Sequence, residues 1–168
     1  MRNAASLLVA LGAVAVAGCT SSSAGGAGGA GGADPLSYKQ ALGTAALGDI
    51  IRQVPRVLLR NQFEIERSDS SSAYLVIRSR WNDRYPLEDE RDGGVTEART
   101  RVVLTARARA RSGGTADVRV VELQAENMVL MGDSTQWRND FMTPMFRAYI
   151  DRIANELKTE LLTGIRVY

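Results

Sequence analysis

The pattern of apolar and polar positions divides the chain into stretches of different character. An unbroken run of apolar or small residues from Ala4 to Ala17 is followed by residues 20–33, which contain only Thr, Ser, Ala and Gly. Residues 37–60 then carry Leu42, Leu47, Ile50, Ile51, Val54, Val57 and Leu58 at spacings of three and four, which predicts a helix with one apolar stripe. Pro55 lacks a backbone donor, so a kink there or two helices broken around Gly48 are expected.

Beyond residue 60 the period changes to two. Phe63 and Ile65 alternate with Glu64 and Glu66, a serine-rich turn spans residues 68–72, and Tyr74 to Trp81 returns, which together predict a hairpin. Residues 83–96 read as a polar loop. From Thr100 to Arg111, Val102, Leu104, Ala106, Ala108 and Ala110 alternate with mostly polar positions, predicting a strand whose even residues face inward. After a turn at residues 112–115, a fourth strand is expected from Val118 to Met128, with Val121, Leu123 and Ala125 inward. Thr143 as N-cap and Pro144 at the first helical position open a last helix. Its expected stripe is Met145, Tyr149, Ile153, Leu157 and Leu161, and it ends near Gly164. Each element has one apolar face to bury, so the expected fold class is α+β. The expected architecture is a two-layer sandwich: a four-stranded antiparallel sheet with an N-terminal and a C-terminal helix on one face, the other face left open.

The amino terminus carries the most specific motif. Met1, Arg2 and Asn3 precede the apolar run, which is too short to span a hydrocarbon core and fits a secretory signal. It ends in Val16-Ala17-Gly18-Cys19, which resembles the lipobox of bacterial lipoproteins. That resemblance implies cleavage between Gly18 and Cys19, a diacylglycerol on the Cys19 sulfur and an acyl chain on its amine. No other cofactor is expected. Several acyl chains together give stable anchoring. The expected organisation is a signal peptide at residues 1–18, a lipidated cysteine and flexible tether at 19–33, and one α+β domain at 34–168. The tether's expected reach is roughly 20 Å, from about 5 to 6 Å times the square root of its length. Cys19 is the only cysteine, so no disulfide can form within one chain. Thr20 stands where the lipoprotein sorting rule places an inner-membrane aspartate, so the outer membrane facing the periplasm is the expected address.

Charge alters the picture only locally. The 21 Lys and Arg nearly balance the 19 Asp and Glu, giving no field that predicts a nucleic-acid partner. Arg78 and Arg80 on one strand, with Arg99, Arg101, Arg107, Arg109 and Arg111 leading into and along the next, form an arginine row. Their forked donors suit phosphate and carboxylate groups, so an anionic partner is one reading. The other is a solvated face laced by cross-strand pairs, with Glu122 and Glu126 opposite or diagonal to Arg107 and Arg101. Trp81, Tyr85 and Trp137 are a candidate aromatic rim, or else caps on the core. The acidic run at residues 88–92 lacks the ligand spacing of a calcium loop and reads as solvated, so no metal site is expected.

The chain has no histidine, and its one cysteine is expected to carry lipid, which removes His-based triads, thiol nucleophiles and the usual zinc sites. Lys39 and Lys158 are the only lysines, and no serine motif stands beside either. No enzymatic activity is therefore expected. An uncharacterised hydrolase using Glu88 and Asp89 is the reading to be tested against it.

A lipid anchor followed by helices on an antiparallel sheet resembles, in architecture alone, BamC of the barrel-assembly machinery and LptE of lipopolysaccharide transport. That resemblance implies a non-catalytic envelope module whose partner is another envelope protein or lipopolysaccharide. The alternative is a structural lipoprotein whose arginine face lies on anionic lipid head groups.

Overall fold

A computed structural model of the chain describes residues 37–109, 117–139 and 142–163. The lipobox, the tether, the turn at residues 112–115 and Arg111 lie outside them.

Two 14-residue strands form the spine of the sheet: β5 (Val95–Ala108) and β6 (Val118–Met131). Their alternation is the one the side chains dictate. On β5, Ala98, Thr100, Val102, Leu104 and Ala106 are buried on the inner face, and on β6 the buried odd positions run from Arg119 to Val129. Each strand is long enough to pair two consecutive segments along one edge. β5 takes both β3 (Tyr74–Ser79) and β4 (Asn82–Arg84), while β6 takes both β1 (Tyr38–Ala46) and β7 (Arg138–Asn139). β2 (Ile65–Ser70) pairs with β3 in the expected hairpin, and Ser71 Oγ accepts the Ala73 and Tyr74 N–H groups in its turn. The sheet is antiparallel, in the order β1-β6-β5-β3-β2, and has seven strands rather than the four expected. Among the described residues three helices accompany it, not two.

The first correction falls on residues 38–46, which pair with β6 instead of forming helix. A bulge shifts the register between Ala41 and Gly43, with Gly43 at φ +104°. Tyr38, Gln40 and Leu42 keep a period of two on the inner face, and the bulge then makes Ala45 the next buried position. With Gln40 polar, the apolar ones fall four and three apart, a spacing that imitates a helix. Helix α1 (Leu47–Arg60) starts after it and carries Pro55 inside. It ends in a left-handed cap: Gln62 sits at φ 65°, its N–H donates to the Leu59 carbonyl at 3.0 Å, and the Phe63 N–H donates to the Leu58 carbonyl at 2.9 Å.

Helix α3 (Pro144–Thr163) begins where the sequence placed it, with the Phe146 N–H donating to Thr143 Oγ1 at 3.2 Å. Its buried stripe is Phe146, Ile150, Ile153, Ala154, Leu157 and Leu161. The stripe is thus rotated from the expected one in its first turns: Met145 is exposed and Tyr149 half-buried. The apolar faces of α1 and α3 share one core with the inner residues of β1, β3, β5 and β6, so both helices lie on the same sheet face. The stretch expected to be a polar loop contains β4 and a third helix, α2 (Glu88–Asp92). Among the described residues no helix is long and apolar enough to cross a membrane.

Candidate binding surface

The outer sheet face carries the arginine row, and the fold divides it in two. Arg101 lies directly opposite Glu126, and the two ions meet at 2.5 Å. Arg107 lies opposite Tyr74 on one side and Val120 on the other, which puts Glu122 diagonal to it. Arg78, Arg80, Arg107 and Arg109 are exposed and have no carboxylate partner among the described residues. The cross-strand pairing thus holds for Arg101, whereas those four arginines stand exposed.

The aromatic residues gather at the paired half. Trp81 precedes β4 and Trp137 precedes β7, so they approach β5 from its two sides. The Arg99 guanidinium lies over both indoles, 5.0 Å from the Trp81 centroid and 4.2 Å from that of Trp137, and Arg101 lies 4.5 Å from Trp81. A guanidinium over an indole face is attracted by the ring quadrupole, so these arginines hold the two connections onto the sheet. Both tryptophans are half-buried, whereas Tyr85 is 94% exposed.

Two hollows open at this end, each of ≈ 330 Å³. One is lined by Gln62, Glu64, Arg80, Trp81 and Asn82. The other, between Tyr85 and Trp137, also takes in Asp83, Pro86, Thr96 and Glu97.

Behind the second hollow, on the inner face, lies a polar network that the sequence reading missed. Arg84 donates to both Glu90 oxygens at 2.8 and 2.6 Å, to Asn127 Oδ1 at 3.0 Å and to Thr100 Oγ1 at 2.9 Å. Asn127 Nδ2 and the Leu87 N–H also donate to Glu90, at 2.9 and 2.8 Å. Burial pushes the Glu90 carboxyl up, but the bonds from Arg84, Leu87 and Asn127 outweigh it and hold the group below the ordinary glutamate range. A signal was present: Thr100 and Asn127 occupy inward positions of the two best-patterned strands, where an unpartnered polar group would be costly.

The acidic run is thus not wholly solvated. Glu90 is 1% exposed in the network, and Asp89 Oδ2 accepts the Met145 N–H at 2.9 Å, placing a carboxylate at the start of α3. Glu88 remains exposed. Among the described residues no three acidic, histidine or cysteine side chains converge to hold a metal. No family model matches the chain, and no curated protein matches it.

Proposed function

We propose that the chain is a bacterial envelope lipoprotein, cut before Cys19 and anchored by its lipids, whose domain is a non-catalytic binding or assembly module. The partner is another envelope protein or lipopolysaccharide, and the expected site is the outer membrane facing the periplasm. The observation that carries this reading is the asymmetry of the sheet. Its inner face is buried under α1 and α3, while the outer face presents exposed arginines beside an aromatic cluster and two hollows. Interfaces favour arginine and aromatic side chains, which join large contact area to directional bonding.

Mass spectrometry of the mature protein tests the anchor: acylated Cys19 as first residue is expected, and an intact Met1 with a free thiol overturns it. Photo-crosslinking in cells from positions 78, 85 and 107 tests the module. Capture of one defined envelope component supports it, and capture of bulk phospholipid alone overturns it.

The unpaired half of the arginine row favours a second reading, in which Arg78, Arg80, Arg107 and Arg109 lie on anionic head groups. Binding of the unacylated chain to anionic vesicles should then fall steeply as salt rises. Salt-insensitive binding, or none, removes this reading.

A further inference from the structure

We propose that the hollow between Tyr85 and Trp137 receives a basic side chain, a lysine ammonium or an arginine guanidinium, carried by the partner protein. The inference rests on the binding-module reading and names the chemistry of its contact.

Three features of the cavity agree. Its ≈ 330 Å³ is at the lower end for ligand sites, which suits one long side chain rather than a large cofactor. Tyr85 and Trp137 both belong to its lining, and Tyr85 stands in solvent at 94% exposure, where its apolar surface gains nothing from the fold. The remaining polar lining includes two carboxylates, Asp83 and Glu97, both exposed and without a cationic partner among the described residues.

Charge decides the occupant. The cationic residue lining the cavity is Arg84, whose guanidinium is engaged with Glu90 at 2.6 Å, and Arg99, opposite Asp83 in the strand pairing, is turned onto the indoles. Among the described residues neither acid therefore has an ion-pair partner, and the two carboxylates outnumber the one neighbouring cation left to face them. The protein already makes the contact it would offer: Trp137 takes the Arg99 guanidinium at 4.2 Å while also lining the hollow. An incoming cation would find aromatic faces and carboxylate acceptors together, the combination that recognises ammonium and guanidinium groups. An anionic group would meet repulsion from Asp83 and Glu97.

The test titrates the ¹⁵N-labelled full chain in detergent with an acetylated, amidated Gly-Lys-Gly tripeptide and its norleucine analogue. Saturable shifts are expected at residues 83–85, 96–98 and 137 with the lysine peptide and not with norleucine. Asp83→Asn combined with Glu97→Gln should weaken binding about tenfold, and Trp137→Ala should do likewise. Equal binding of norleucine, or full affinity in the Asn/Gln variant, overturns the proposal.

The same Asn/Gln variant in the crosslinking experiment separates the two claims. Undiminished capture of a protein overturns the cavity's role and leaves the module standing. Absence of any captured protein overturns the module, and with it the partner assigned to this cavity.

Discussion

Arg84 grips Glu90 through two hydrogen bonds, of 2.8 and 2.6 Å, beneath a sheet whose opposite face is open to solvent. The pair ties β4 to α2, and Asn127 and Thr100 extend it to β6 and β5. Withdrawing Arg84 would leave the Glu90 carboxylate buried without its charge partner, and withdrawing the Glu90 charge would leave the Arg84 guanidinium without its own.

Glu90→Gln should therefore destabilise the domain by about 3–5 kcal/mol, the usual cost of stranding one member of a buried ion pair. The pH dependence has a definite sign. Because the folded-state pKa of Glu90 is depressed, its contribution is complete above the pKa of an unfolded glutamate and is lost as pH falls through the depressed value. Urea denaturation across acidic pH should show the parent losing stability over that range and the Gln variant changing less.

Arg99→Ala should cost about 1–2 kcal/mol by removing the cation shared by Trp81 and Trp137. Intrinsic tryptophan fluorescence should shift to the red as both indoles gain water. Arg107→Ala, on the exposed half of the row, should stay within about 0.5 kcal/mol of the parent and leave the spectrum unchanged.

Gln62→Gly should stabilise the domain by about 0.5–1 kcal/mol, because a side chain at φ 65° costs what glycine does not. Gly43→Ala at φ +104° in the β1 bulge should lose about 1–2 kcal/mol. Thermal melts of the two variants should move in opposite directions.

Tyr38 donates its hydroxyl to Asp151 at 2.6 Å, joining β1 to α3, and burial followed by that bond raises its pKa well above the ordinary tyrosine value. A raised acid favours the folded state while protonated, so stability should decline as pH climbs past about 10, where an unfolded tyrosine ionises. Tyr38→Phe should cost about 0.5–1.5 kcal/mol at neutral pH and flatten the alkaline decline in denaturant titrations.

Much of the fold was legible where a local rule acts alone. The alternation along β5 and β6, the hairpin from Ile65 to Ser79, and the Thr143 cap before Pro144 follow from neighbours in sequence and are present, although β5 opens at Val95, inside the expected loop, and Ala108 at its end is exposed. β1 was misread because the polar Gln40 on its inner face and the bulge before Gly43 together turn a period of two into apolar spacings of four and three. β4 and β7, of three and two residues, are too short to carry a period at all and exist because β5 and β6 have edges left to fill. The stripe of α3 was misplaced in its first turns because Phe146 and Met145 are both apolar, and only packing decides which of them is buried.

The arginine row shows the same division at the level of chemistry. Strand periodicity suffices to place Arg99, Arg101 and Arg107 on one face, since side chains two apart must share it. It cannot say that Arg101 meets Glu126, that Arg99 is claimed by two indoles, or that Arg107 has no carboxylate partner among the described residues. Those outcomes depend on strand register and on which connections fold back over the sheet, between residues as far apart in the chain as Arg99 and Trp137. A periodic pattern records which way a side chain points, whereas the pairing of distant segments determines what it finds there.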